Sequence, residues 1–373
     1  MKTVAGKAQA GPKKNFVAVD IGTSETRVSV NGVNTLRIPN NFVFLEKPTP
    51  ATFTAGEGVL GNLEAHIEGL EDEMVYVLLG EMAARYSVTN QHPSPMMAKH
   101  KQRINLASII VGAAVSRFDK GGNKDTELFI ALPPIECGRA SRSLVEQLVG
   151  EYKVTFPKLG RVARVAFTNV HCFEESRMAG VAFMEQLTDE VKQGTVLSVD
   201  IGAGTTDLAL FQNGQFREYS AKTYKVGGNT AREFLIDLIS DEYDFEPKRE
   251  EADGVIASGV LKMGNSKVSV THLVNEAKGK FAITLVERIQ QYFRDIECPI
   301  QTVNAFLVSG GGSMAGGDKK ARSTVSFVID ALSKVCPGVN TIAYDGDARL
   351  ANLNGLCATA KTIEIPDESN DDE

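Results

Sequence analysis

Two stretches of this chain carry nearly the same pattern. "VAVDIGTSETRVSV" at 17–30 and "LSVDIGAGTTDLAL" at 197–210 share one order: a β-rich apolar run, then Asp, Ile and Gly, a hydroxyl-rich turn, and a second β-rich run. Asp20 and Asp200 stand 180 residues apart. Two copies at that separation describe a duplicated domain, not a solenoid, whose repeats recur at about 20–50 residues. The 373 residues suffice for about two domains with ample cores.

The interruption inside each run carries the chemistry. Apart from threonine, the residues there are poor strand formers. A tight turn between two strands can aim its backbone N–H groups into one concavity and cradle an anion. Glycine lets that backbone approach a phosphate without a Cβ, and hydroxyls add donors. An Asp closing the first strand then stands beside the phosphates, where it can hold Mg²⁺, usually through water because Mg²⁺ dehydrates reluctantly. One such turn reads equally well as an ordinary Gly-rich hairpin. Two, facing each other across a cleft, can grip a β- and a γ-phosphate with one metal between them. "SGGGSMAGG", 309–317, supplies a third glycine turn at a strand-to-helix junction, where a helix N-terminus also favours an anion. The combination points to a nucleotide.

Composition excludes several other classes. The net charge is −7, with acidic residues crowded into "EIPDESNDDE" at the C-terminal end, so direct nucleic-acid binding is not expected. "KHKQR", Lys99 to Arg103, reads as a solvated loop or helix start. Five widely spaced cysteines with no C-x-x-C pair indicate neither a disulfide framework nor a zinc site, and fit a reducing cytosol. No apolar stretch approaches the length of a membrane span, and the first residues lack a signal-peptide core, so a cytoplasmic location is expected.

Strands and helices mix along the whole chain, which indicates an α/β protein with two lobes. "VNTLRIP", "MVYVLLG", "TELFIALPPIE", "RVARVAFTNV" and "VNAFLVS" read as strands. "INLASIIVGAAVSRF" is expected as an amphipathic helix, "SRSLVEQLVGEYK" and "EESRMAGVAFMEQL" as further helices, and "GGNTAREFLIDLISDEY" as a helix capped by Asn229 or Thr230.

In this order and spacing, "VDIGTSETRVSV", "VDIGAGTTDLALF" and "VSGGGSMAGG" resemble the phosphate-1, phosphate-2 and adenosine motifs of the actin, sugar kinase and heat-shock chaperone ATPase superfamily. Within it, "NVHCFEESRMAGVAF", "VYVLLGEMAARY", "ALPP" and "LANLNGLCATA" look most like the bacterial plasmid-segregation actins, the ParM-like group. The resemblance implies a two-lobed actin-like fold of duplicated ribonuclease H-like domains with a nucleotide cleft between them. Lobe I would span 15–183, with a variable subdomain at about 32–100 and completion by a C-terminal helix at 346–362. Lobe II would span 190–345 with a variable subdomain at about 242–275, and 1–14 and 364–373 would be flexible tails.

Carried over residue by residue, Asp20 and Asp200 would organise Mg²⁺. Gly22, Thr23 and Ser24 on one side, and Gly202, Gly204, Thr205 and Thr206 on the other, would line the phosphates of ATP or GTP. Arg27 falls where relatives carry a Lys reaching the phosphates, and a planar fork does not replace a point charge freely. Gly310, Gly311 and Gly312 would approach the sugar and α-phosphate, Met314 the adenine, and Gly227 the ribose. Glu175 matches the residue that positions the attacking water, with Glu174 as the alternative register; both could instead simply cap a helix beginning at Ser176.

Two activities fit such a cleft. One is a filament-forming ATPase that polymerises with ATP and Mg²⁺, disassembles after hydrolysis, and segregates plasmid or other DNA through a ParR-like adaptor, contacting neither nucleic acid nor membrane directly. The other is a small-molecule phosphotransferase of the sugar or acetate kinase type. "GEGVLG", 56–61, matches a dinucleotide fingerprint but follows no buried strand, and adjacent His171 and Cys172 would point to opposite faces of a strand and so make no metal site.

Overall fold

The computed structural model describes residues 15–22, 25–39, 41–49, 63–80, 82–83, 86, 101–116, 125–314 and 322–363. Thr23, Ser24, the glycine motif at 56–61, Lys99, His100 and the expected tails at 1–14 and 364–373 lie outside the described residues.

The first sheet starts from an antiparallel meander of β1 (Phe16–Ile21), β2 (Glu25–Val30) and β3 (Val33–Pro39). β4 (Phe42–Leu45), β5 (Leu63–Glu68) and β6 (Val75–Leu79) form its antiparallel extension. Helix α1 (Lys101–Val115) leads to β7 (Asp125–Leu132), parallel to β1. Then come α2 (Arg139–Leu148), β8 (Gly150–Phe156) and β9 (Arg161–Glu174), the last parallel to β7 and antiparallel to β8. The order across nine strands is β3-β2-β1-β7-β9-β8-β5-β6-β4.

Helices α3 (Glu175–Met184) and α4 (Asp189–Lys192) lead to the second sheet. There β10 (Thr195–Ile201) pairs antiparallel with β11 (Thr206–Gln212), which carries the short β12 (Gln215–Phe216) and β13 (Lys222–Tyr224). After α5 (Gly228–Tyr243), α6 (Arg249–Ser258), the hairpin of β14 (Val260–Met263) and β15 (Ser266–Ser269), and α7 (Thr271–Asp295), the chain returns as β16 (Val303–Ser309), parallel to β10. Helix α8 (Thr324–Val335), β17 (Asn340–Ala343) and α9 (Ala351–Thr362) complete it. Its order, β12-β11-β10-β16-β17, repeats that of β3-β2-β1-β7-β9, so the echo in sequence is an echo in topology.

Strands that run parallel in mid-sheet are buried on both faces and read as continuous apolar runs. In β1, Val17 and Val19 join the core under α1, while Phe16 and Ala18 face the other way, onto Met178 of α3 and Leu353, Leu356 and Ala360 of α9. In β10, Leu197, Val199 and Ile201 pack under α7 and α8, and Val196 lies on the opposite face with Phe183. Helix α3 therefore touches both sheets, Met178 one and Phe183 the other.

Several expectations are corrected. Helix α1 is not amphipathic, because every residue from Ile104 to Val115 is buried, Asn105 and Ser108 included; it packs against five strands and α2, leaving no face for water. The helix expected through "VGEYK" stops at Leu148, and Gly150, at φ +150°, turns the chain into β8. Helix α3 begins at Glu175 with Glu174 as N-cap, one residue ahead of the expected Ser176. The cap of α5 is Gly227, whose N–H donates to the Thr230 hydroxyl at 3.2 Å. The third glycine turn runs into a single 3₁₀ turn, Gly311–Met314, and among the described residues the next regular helix along the chain, α8, is Thr324–Val335.

Candidate functional site

Each echo folds as a hairpin closed by the same bond. Gly22 N–H donates to the Glu25 carbonyl at 3.1 Å, and Gly202 N–H to the Thr205 carbonyl at 2.8 Å. A turn closed over four residues sets the register that follows: Asp20 stands opposite Arg27, and Asp200 opposite Asp207. The two hairpins thus share a closing bond and a register and differ in charge.

Asp20 and Asp200, 1% and 5% exposed, come together at the junction of the two sheets. Asn352, in the first turn of α9, joins them: its Nδ2 donates to Asp200 Oδ2 at 2.8 Å, and its amide helps hold down the proton affinity of Asp20. Ser309 Oγ, at the end of β16, donates to Asp200 Oδ1 at 3.4 Å. Burial pushes the Asp200 carboxyl up to about 6, with the charge of Asp20 adding to it and the Asn352 bond opposing it. Burial raises Asp20 too, against the pull of Arg27. Arg27 donates from Nη1 to Asp20 at 2.6 Å and from Nε to Glu25 at 2.9 Å. Its own desolvation is more than offset by these two carboxylates, which keep it charged. The guanidinium fork spans both partners, a geometry an ammonium does not reproduce.

The two glutamates separate cleanly. Glu174 pairs with Arg177 at 3.7 Å, and that guanidinium lies 4.6 Å over the Phe216 ring. Glu175, the first helical residue, senses the cleft: burial, then the negative charges of Asp207, Asp20 and Asp200, push its carboxyl well above the ordinary glutamate range.

The remaining glycines knit the loops together. Gly227 seats against the second hairpin turn, where an added Cβ would lie 2.7 Å from Thr205 N and 2.8 Å from the Ala203 carbonyl. Gly228 and Asn229 N–H donate to Gly202 and Ala203 carbonyls at 3.0 and 2.7 Å. From behind, Gly310, at φ +88°, and Gly312 press on the Ile201 and Gly202 backbone; a Cβ at Gly310 would lie 2.7 Å from the Ile201 carbonyl carbon. Gly311 is exposed beside Arg349, Gly204 is exposed at the tip of its turn, and Met314 is 44% exposed. Thr206 faces inward, its hydroxyl donating to the Val226 carbonyl at 2.6 Å. Thr23 and Ser24 are outside the described residues.

Sequence reasoning missed Asn352 and Asp207. Asp207 was legible as the counterpart of Arg27 in the echo. Asn352 had a weaker signal, an amide among small and apolar residues in "LANLNGLCATA".

The donor set decides what this place can hold. Asp20, Asp200, Asp207 and Glu175 share one electrostatic environment with Arg27 as the cation among them. A metal ion entering with a polyphosphate would offset the charge of these carboxylates. Among the described residues no group of three or more His, Cys, Asp and Glu is arranged to ligate an ion directly. Two aspartates and a buried amide oxygen with no hydrogen-bond partner, Asn352 Oδ1, suit an ion that keeps most of its waters, which is the habit of Mg²⁺. His171 stacks on Phe129 at 4.6 Å and takes no part. Among the described residues no helix is long and apolar enough to cross a membrane.

A family model described as the C-terminal domain of the archaeal MreB-like actin homologue matches residues 198–319. No curated protein matches in sequence. Among solved structures, a 15-stranded ParM filament from Clostridium botulinum is 14% identical at TM-score 0.71, covering 94% of this chain and 100% of that one. The actin-like protein Alp7A is 19% identical at TM-score 0.69, covering 93% and 95%. Bacillus thuringiensis ParM with ATP is 15% identical at TM-score 0.63, covering 94% and 99%. With the duplicated topology and the paired hairpins, these matches establish that the chain has the actin-like ATPase fold.

Proposed function

We propose that this chain is a nucleotide-dependent, filament-forming ATPase of the cytoplasm, serving plasmid or other DNA segregation through an adaptor of the ParR kind. The observation that carries the reading is the meeting of Asp20 and Asp200, from two glycine hairpins closed by the same bond, within the electrostatic reach of Glu175. In this reading the N–H groups of the Gly22 and Gly202 turns receive the phosphates of ATP. Asp20 and Asp200 would hold Mg²⁺ through its waters, and the ion would neutralise charge on the β- and γ-phosphates.

Glu175 is the base. A carboxylate whose proton affinity is raised by burial and by neighbouring aspartates is a stronger proton acceptor, once ionised, than one in water, and it can orient a water and take its proton. Arg27 acts by holding Asp20 in place. Self-association end to end through one repeated, heterologous contact yields filaments, because such a contact does not close on itself.

Light scattering and negative-stain microscopy with Mg²⁺ and ATP, compared with ADP, test the proposal. Polymer with ATP that disappears as phosphate is released is the expected result. Absence of polymer together with phosphate transfer to a small acceptor would replace it with the phosphotransferase reading.

A further inference from the structure

Asn352 is committed more fully than a helix-surface amide. Asn352 is 7% exposed, its Nδ2 serves Asp200 at 2.8 Å, and its amide also helps hold down the proton affinity of Asp20. An amide nitrogen carries two hydrogens, and carboxylates only accept, so the nitrogen must face the aspartates and one group can serve both hairpins. The backbone around it is pinned as well: Gly310 N–H donates to the Ala348 carbonyl at 3.1 Å just before α9, and Gly355, one turn on, presses against Met178 of α3.

The other end of the amide is the informative one. Oδ1 is buried and has no hydrogen-bond partner. An acceptor left in that condition has given up its hydration with nothing in return. Its carboxylate neighbours have no proton to offer when ionised. A water bound to a divalent cation has protons to donate and would sit between the same two aspartates.

We propose that Asn352 is a positioning residue for the divalent cation: Nδ2 fixes the carboxylate of Asp200, and Oδ1 accepts a hydrogen bond from a water of the ion's hydration shell. The inference rests on the reading of the cleft as a Mg²⁺-nucleotide site and names a residue of that site.

The test uses the full-length chain with Asn352→Ala and Asn352→Asp. ADP binding is titrated over a range of MgCl₂ and in EDTA, and Mn²⁺ binding without nucleotide is followed by electron paramagnetic resonance. Asn352→Ala is expected to weaken both metal constants about 10–100-fold, the usual effect of removing an outer-shell partner, with ADP binding in EDTA within about twofold of wild type. Asn352→Asp keeps the shape and adds a third carboxylate, so its melting temperature is expected to fall in EDTA and to return to the wild-type value in excess Mg²⁺. It also stands in should the alanine variant not fold. Metal constants for Asn352→Ala within about twofold of wild type, or a melting deficit in Asn352→Asp that Mg²⁺ does not reverse, overturn the inference and leave nucleotide binding standing. A wild-type chain that binds neither ADP nor Mn²⁺ overturns it together with the reading beneath it.

Discussion

Replacing Gly355 with alanine should destabilise the protein, although helix propensity alone says the opposite. Gly355 lies mid-helix in α9, where a Cβ would stand 2.6 Å from the Met178 carbonyl carbon, 3.0 Å from its Cα, and closer still to its carbonyl oxygen. Carbon atoms in contact prefer about 3.5–4.0 Å, so α9 must retreat from α3 by roughly 1 Å. The obstacle is helical backbone, which has no rotamer to change. Overpacking of this kind costs about 1–3 kcal/mol and alanine returns about 1 kcal/mol of propensity, leaving a net loss of about 2 kcal/mol at the upper end of that range. Gly254, mid-helix in α6, meets nothing within 4 Å, so the same substitution there should stabilise by about 0.5–1 kcal/mol. For a cooperative unit of about 150–250 residues the pair should part in opposite directions, Gly355→Ala melting about 4–8 °C below wild type and Gly254→Ala a few degrees above. Melting followed by circular dichroism measures both. A Gly355→Ala protein that melts at or above wild type would refute the packing argument. Because α3 carries Glu175 and α9 carries Asn352, hydrolysis should fall in that variant as well.

Glu175→Gln should leave ADP binding within about twofold and slow phosphate release about 10²–10⁴-fold, prolonging any polymer; unchanged turnover would remove Glu175 from the mechanism. The same variant has a stability signature. A carboxyl held protonated to higher pH when folded than when unfolded makes wild-type stability fall as pH rises from the ordinary glutamate value of 4.5 through the folded value. Gln cannot ionise, so the variant should gain on wild type across that window and match it below; melting at a series of pH values, without nucleotide, reads this out. Arg27→Met leaves Asp20 buried and uncompensated, a loss of about 3–5 kcal/mol at neutral pH in urea denaturation. The loss should shrink in acid as Asp20 takes a proton, and a constant deficit at all pH values would contradict the assignment.

The duplicated α/β architecture was legible from "VAVDIG" and "LSVDIG", because an apolar run broken by Asp-x-Gly and hydroxyls is a local statement about a strand, a turn and a strand. The hairpins, their congruent closing bonds and the glycine that follows β16 are all local in this sense. Other features depend on partners far along the chain. Nothing in "INLASIIVGAAV" says that water is kept from every side of α1, since that follows from the strands packed around it. Which of Glu174 and Glu175 faces the cleft turned on where β9 ends and α3 begins, a boundary set by pairing with β7 and by Arg177 claiming the first of the two. Asn352 reaches Asp200 across 152 positions, and Gly355 and Gly254 read alike as helical glycines until Met178 is found against one and open space beside the other. Sequence patterns report the preferences of residues for their chain neighbours. The meeting of an aspartate with an amide 152 positions away, and the sign of a single methyl group, were decided by which surfaces the two sheets and the helices between them bring into contact.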